Sequence, residues 1–249
     1  MGELVRGVID ADVATITLDS QHNRNALSRQ LVAELGECLD DAESADVRAI
    51  VLRHEGPAFC AGADLKERAA TDGPPDSAPM VAVMRRLMDT DRPTIAAVAG
   101  AVRAGGIGLM ASCDLVVVHE SVSFALTEVR IGVAAAIISV PILRRVPAGK
   151  IAAAMLTGES FDAHEARSMG LVTHVTTDVP AQVATLTDGI KLGAPRAVCE
   201  TKRLLRHLPD MDRDEAFVAM RALSDELFDG PDAREGMAAF REKRPPVWP

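Results

Sequence analysis

Pro93-Thr-Ile-Ala-Ala-Val-Ala-Gly100-Ala-Val-Arg103-Ala-Gly105-Gly106-Ile-Gly108 decides the architecture. Thr94 to Ala99 is a short, continuous apolar run, the pattern of a strand buried on both faces. The glycine-rich turn after it opens a short helix around Gly106 to Cys113. A strand that feeds directly into a helix N-terminus exposes backbone N–H groups, and these receive an anion or a developing oxyanion. Leu115 to Val118 reads as the next strand. Upstream, the strand Val47 to Leu52 and the turn at Gly56-Pro57 lead to Phe59-Cys60-Ala61-Gly62-Ala63-Asp64-Leu65-Lys66, with a helix beginning near Leu65. Repeated strand-then-helix units predict an α/β fold with largely parallel strands.

Working outward, Leu4 to Ile9 and Val13 to Leu18 alternate around Asp10-Ala11-Asp12, a hairpin signal. Leu27, Leu31, Leu35, Leu39 and Ala42 recur every four residues behind Asn25 and Ser28, either of which suits a helix cap. Thr71 to Pro79 is rich in breakers and reads as a loop, followed by a helix from Met80 to Thr90. Beyond Ala134 helical patterns dominate: Ile137 to Val146, Gly149 to Thr157, Ala163 to Met169, Pro180 to Leu192, Pro195 to Leu208, Arg213 to Phe228 and Pro231 to Phe240. One strand signal, Leu171 to Val175, survives there. The organisation expected is an α/β core over 1–190 and a helical C-terminal region over 191–249, parts of one domain.

The 249 residues are 48% hydrophobic and 25% charged, which excludes a disordered chain and a collagen-like repeat. A net charge of −9 disfavours a nucleic-acid partner, which needs a basic face. The longest apolar run, Ile131 to Leu143, is interrupted by Ser139 and Pro141 and is too short for a bilayer, so no membrane partner is expected. Cys38, Cys60, Cys113 and Cys199 are scattered, without CxxC or metal-ligand spacing to the histidines, and read as reduced thiols of a cytoplasmic protein with no metal. No signal peptide is visible at the N-terminus.

Two small-residue turns, each following a strand, can each offer one N–H to a single oxygen, as acyl-thioester chemistry requires. Gly106-Ile-Gly108-Leu-Met-Ala111 also fits the G-x-G-x-x-A form of a dinucleotide fingerprint. The acid at His119-Glu120, however, comes sooner than the roughly 20 residues that separate the glycines from a ribose-binding acid. Ser112-Cys113-Asp114 places a nucleophile beside an acid, but sequence neighbours do not make a triad.

Taken in order, Asn25-Ala-Leu-Ser28, Phe59 to Lys66, Pro93 to Val98, Gly105-Gly106, Cys113-Asp114-Leu, Phe124 to Gly132 with Glu128, Ala163 to Val172 and Phe240 to Arg244 resemble the crotonase superfamily of enoyl-CoA hydratases and isomerases. The resemblance covers nearly the whole chain. It implies a crotonase-like ββα core with a helical C-terminal trimerisation region, in a homotrimer or dimer of trimers. It also implies an acyl-CoA thioester substrate, with coenzyme A as part of that substrate and no separate cofactor. By the same resemblance, the N–H groups of Ala63 and Gly105 form an oxyanion hole and Glu128 moves a proton on the acyl chain. CoA is expected along Asn23-Arg24 and along Ala61, Ala63, Asp64, Leu65 and Lys66, with Phe240 and Lys243 closing over it from a neighbouring subunit.

Apolar neighbours around Glu128 should raise its pKa, which suits an acid–base group near neutrality. The chain departs from the best-known hydratases at Gly108, where they carry a second glutamate, and Val133 to Ile138 (VAAAII) holds no replacement acid. Three functions are compatible with this: a one-glutamate hydratase, a one-glutamate 3,2-isomerase, and an acyl-CoA-binding homologue without turnover. Gly105-Gly-Ile-Gly-Leu and Glu128-Val-Arg-Ile-Gly are closest to the branch acting on methylglutaconyl-CoA-type substrates, which tilts the expectation to hydratase. Arg103 is either a receptor for a distal substrate carboxylate or a structural group that pairs with an acid such as Asp114 or stays solvated. Arg130 is expected to be structural or at an interface, and Cys60 to serve packing.

Overall fold

The computed structural model describes residues 2–70 and 76–248. In chain order the elements are β1 (Val5–Asp10), β2 (Val13–Leu18), α1 (Arg29–Ser44), β3 (Ala49–His54), β4 (Ala58–Cys60), α2 (Leu65–Ala69), α3 (Ala78–Asp89), β5 (Thr94–Val98), β6 (Ala101–Arg103), α4 (Gly105–Ala111), β7 (Leu115–His119) and β8 (Ser123–Ala125). There follow α5 (Ala136–Arg145), α6 (Ala148–Thr157), β9 (Ser160–Asp162), α7 (Ala163–Met169), β10 (His174–Thr176), α8 (Val179–Leu192), α9 (Pro195–His207), α10 (Arg213–Phe228) and α11 (Pro231–Glu242).

The larger sheet runs β1-β2-β3-β5-β7-β10, with β1 and β2 an antiparallel hairpin and the remaining pairs parallel. Both faces are covered, which is why β3, β5 and β7 read as unbroken apolar runs. On one face Ile16, Leu18, Ile50, Leu52, Val98 and Val116 pack with Leu31, Leu35 and Leu39 of α1 and Val83, Met84 and Leu87 of α3. On the other, Val51, Ile95 and Val117 meet Val179, Val183 and Leu186 of α8. The Ser28 hydroxyl caps α1, accepting the N–H of Leu31 at 3.2 Å.

A second, smaller sheet, β4-β6-β8-β9, positions the site. Its strands β4, β6 and β8 are parallel neighbours, in register at Ala58 with Ala101 and at Val102 with Phe124. Each follows a long strand of the first sheet after a short turn, so the chain repeats the ββα expectation: β3-β4-α2, then β5-β6-α4, with β7-β8 leading into a single 3₁₀ turn at Glu128–Ile131. The turns that join the two sheets run so close together that a Cβ on Gly100 would lie 2.6 Å from the Pro57 carbonyl oxygen, which requires glycine there. Phe124 and Phe161 stack between β8 and β9 with centroids 5.3 Å apart.

Several readings need correction. Ala58–Cys60 and Ala101–Arg103 are strands and not parts of small-residue turns, and Ser123–Ala125 and Ser160–Asp162 are strands the sequence did not reveal. The strand expected at Leu171 to Val175 falls at His174–Thr176, with Leu171 and Val172 buried ahead of it. Of the loop expected at Thr71 to Pro79, residues 71–75 lie outside the described residues. Pro79 belongs to the first turn of α3, where a missing N–H costs no helical hydrogen bond.

The helices α8 to α11 form the C-terminal region, and α9 is tied to the core by a buried ion pair. Lys202, 5% exposed, places Nζ 2.8 Å from Asp114 Oδ2 and donates to the carbonyls of Arg92 (2.8 Å) and Leu87 (3.2 Å). Asp114 also accepts from the Thr94 N–H and hydroxyl. Among the described residues no helix is long and apolar enough to cross a membrane.

Candidate active site

Three short strands deliver three segments to one place. β4 ends at Cys60 and runs into Ala61-Gly62-Ala63; β6 ends at Arg103 and runs through Ala104 into Gly105; β8 ends at Ala125 and runs into Glu128. Because β4, β6 and β8 lie side by side and parallel, their C-terminal ends emerge on the same edge, with Gly105 between the other two. Neighbouring strands are about 4.8 Å apart, so the three segments start within about 10 Å of one another.

The Ala63 turn is held from outside by the segment before α1. Leu27 N–H donates to Gly62 O at 2.8 Å, Ala61 N–H donates to Arg24 O at 3.0 Å, and Leu27 forms a parallel bridge with Ala63. In such a bridge the peptide groups flanking Ala63 face Leu27, and Ala63's own N–H turns away. Gly105 is the first residue of α4, so its N–H has no intrahelical partner. A Cβ built on Gly105 would lie 3.8 Å from Ala63 N. That atom sits about 2.5 Å from Gly105 N by covalent geometry, so the two nitrogens are separated by at most about 6 Å. One oxygen accepting two hydrogen bonds of about 2.9 Å bridges nitrogens up to about 5.8 Å apart, just inside that upper bound. The pair can therefore hold a single oxygen that gains negative charge.

Arg24 and Asn25 supply the bend that makes this possible, both at positive φ (57° and 54°). Asn tolerates that conformation, and its buried side chain secures it: Oδ1 accepts the Ser20 N–H at 2.6 Å, and Nδ2 donates to Glu55 O (3.0 Å) and Ala58 O (2.8 Å). Asp64 caps α2 through Lys66 and Glu67 N–H and accepts from Asn23 Nδ2 at 3.0 Å. Those donors hold the Asp64 carboxyl below its ordinary pKa. Arg24, Ala61, Ala63, Asp64, Leu65 and Lys66 thus share one rim, with Arg24, Ala63, Leu65 and Lys66 exposed.

Glu128 opens the 3₁₀ turn after β8. It is half-buried, its Oε2 is buried without a hydrogen-bond partner, and burial pushes its pKa up from the ordinary carboxylate value. An orphaned carboxylate oxygen of this kind is a group waiting for a proton or a donor. Arg130 fixes the turn by donating from Nε to Thr157 O at 2.9 Å, a structural role.

Other candidates fall outside this group. Phe240, 85% exposed, and Lys243, at positive φ beyond α11, do not join the strand-end cluster within one chain. Arg103 does not pair with Asp114, whose carboxylate is occupied by Lys202 and Thr94; it donates to the carbonyls of Val102 (2.9 Å) and Ser123 (2.6 Å) and to the Ser123 hydroxyl. Ser112 donates to Gly108 O at 2.9 Å, as a helix-capping hydroxyl does. The Cys60 thiol is fully buried and pushed up to about 12, which suits packing and not nucleophilic attack. Among the described residues no group of His, Cys, Asp or Glu could hold a metal ion.

Two elements of the site escaped sequence reasoning. Leu27 braces both N–H donors, yet reads as one more apolar residue of the α1 pattern. Ile138 packs on Gly108 from a different helix, and nothing local to either residue announces the contact.

Comparison with known proteins shows the family. The family model described as enoyl-CoA hydratase/isomerase matches residues 8–249. The chain belongs to the enoyl-CoA hydratase/isomerase family. The enoyl-CoA hydratase EchA19 of Mycobacterium tuberculosis is 32% identical over 247 residues, covering 93% of this chain and 91% of that protein. The solved structure of an enoyl-CoA hydratase from Mycobacterium smegmatis superimposes with a TM-score of 0.91 at 31% identity over 98% of both chains. One from Mycobacterium avium is 43% identical over 99% of both, with a TM-score of 0.76. The fold is therefore the crotonase fold, as its motifs suggested.

Proposed function

We propose that this family member is a cytoplasmic enoyl-CoA hydratase that adds water across the 2,3-double bond of an acyl-CoA thioester with one carboxylate. The observation that supports it is the convergence of two N–H donors and one half-buried carboxylate with an unpartnered buried oxygen on the ends of three adjacent strands. The N–H groups of Ala63 and Gly105 donate to the thioester oxygen. Glu128 takes a proton from water as its oxygen bonds to C3. The electron pair of the double bond moves through C2 onto the thioester oxygen, where the two N–H groups stabilise the enolate. The enolate collapses as Glu128 returns the proton to C2, which restores both the carboxylate and the thioester. A raised pKa suits a group that must both take and give a proton near neutrality.

CoA is assigned to the rim of Arg24, Ala61, Ala63, Asp64, Leu65 and Lys66, and the reaction calls for no separate cofactor. Leu205, Phe217, Val218, Phe228 and Phe240 are each at least 68% exposed in one chain. Apolar exposure on that scale marks an association surface, in keeping with a trimer or dimer of trimers in which Phe240 and Lys243 reach a neighbour's CoA. Sedimentation of the purified protein tests the assembly.

The alternative of 3,2-isomerisation draws support from one feature, the lack of room for a second acid at Gly108. The test follows the conjugated-thioester absorbance with 2-enoyl-CoA and 3-enoyl-CoA substrates, straight-chain and branched carboxylated, against Glu128→Gln. Loss of the 2-enoyl signal that the variant does not produce is expected. A gain of signal from 3-enoyl substrates alone would make the protein an isomerase. Binding of CoA esters with no change in any of them would mark a homologue without turnover.

A further inference from the structure

Gly108 stands one turn after Gly105 on α4, so the two occupy one face of that helix. The space beside Gly108 is filled. A Cβ there would fall 2.3 Å from Ile138 Cγ2, 2.5 Å from Ile138 Cβ and 2.9 Å from Met84 Cε. Ile138 lies near the start of α5 and is 6% exposed; Met84 on α3 is 3% exposed. The Met84 methyl is the far end of a flexible side chain and can move. The Ile138 Cβ cannot, because its position is set by the α5 backbone and no rotation about χ1 displaces it.

We infer that Ile138, backed by Met84, is a specificity-determining residue that reserves the acyl side of the site for a single carboxylate. It fills with hydrocarbon the room a side chain at position 108 needs to reach the acyl carbons. A place walled by Ile138 and Met84 offers a water molecule no polar partners. The proton that Glu128 takes from water then has no second acceptor on that side and passes to C2 of the substrate. The chemical half of the inference rests on the proposed function, whereas the packing half does not.

Two experiments separate these halves. In thermal unfolding, Gly108→Ala lowers Tm by about 2–12 °C through overpacking, although alanine is the better helix former. In an Ile138→Gly background, which removes both the 2.3 Å and the 2.5 Å contacts, the same change costs at most half as much; equal drops in both backgrounds overturn the packing. In the pH profile of kcat/KM, the wild type shows one ionisation on the acid side. Ile138→Glu adds a second that Ile138→Gln does not, and a profile unchanged by Ile138→Glu overturns the role. Wild-type protein with no Glu128-dependent turnover on any enoyl-CoA would remove the proposed function while the thermal coupling stood. Turnover without coupling or a second ionisation would remove the role of Ile138 alone.

Discussion

Gly105→Ala separates the oxyanion site from the fold. Gly105 is not among the residues at positive φ, and it begins α4, so alanine suits its backbone and gains helix propensity. The new methyl would lie 2.8 Å from Leu27 Cδ1, the tip of a side chain that can rotate away. Stability should therefore change little. The same methyl stands 3.8 Å from both Ala63 N and Gly62 Cα, alongside the gap an oxygen must enter to reach the two N–H groups. A carbon–oxygen contact needs about 3.3 Å, so the methyl forces the oxygen off at least one donor. Loss of one such donor costs about 10²–10³ in rate, or about 2.7–4 kcal/mol. The loss falls on kcat more than on KM, because the oxygen carries full charge only as the enolate forms. Steady-state kinetics on a 2-enoyl-CoA, beside a Tm measurement, would decide. A folded Gly105→Ala enzyme with kcat/KM within about threefold of wild type, a difference under about 1 kcal/mol, would refute this placement of the oxygen.

Glu128→Gln should lower kcat by about 10²–10⁴-fold. Burial raises the Glu128 pKa in the folded state, so ionising it costs the folded state stability as pH rises from the unfolded value through the raised one. Urea midpoints should accordingly find Glu128→Gln at least as stable as wild type at pH 8, with the difference gone once both states are protonated in acid. The acid limb of the wild-type rate profile should sit above the ordinary carboxylate range for the same reason. Asn25→Ala strands the Ser20 N–H and the Glu55 and Ala58 carbonyls and puts alanine at φ 54°. Each orphaned buried group costs about 1–3 kcal/mol, and kcat/KM should fall with stability because Arg24 braces the Ala63 turn. Asp114→Asn leaves the Lys202 ammonium buried without its partner and should cost about 3–5 kcal/mol in urea denaturation. Adding Lys202→Met should recover most of that loss.

Much of the site was legible because its signals are local. Small residues after a strand permit close backbone approach, and Ala61 to Ala63 and Gly105-Gly106 each carry that signal within a few positions. Glu128 was legible through its flanking motif, and burial raises its pKa as expected, although Val129 and Ile131 beside it are exposed and the buried apolar residues are Phe124 to Leu126. The strands of the smaller sheet were not legible. With three residues each they are too short for a periodic pattern, and only hydrogen bonds to distant segments define them.

The sequence alone determined the elements whose side chains repeat with a period: the β1–β2 hairpin, the buried strands β3, β5 and β7, and α1, α7 and α10. It also determined the identity of the expected site groups, since Ala63, Gly105 and Glu128 each stand in a motif that resembles the family's. The tertiary structure alone decided what those groups meet. Asp114 took Lys202 as its partner in place of Arg103, because α9 returns across the start of β5 and β7. Leu27 became a brace for Gly62 through a backbone hydrogen bond between two segments distant in sequence, and Ile138 closed over Gly108 because α5 packs on α4. Such contacts arise from burying surface between elements. That force depends on where the elements lie in space, and no stretch of sequence records it.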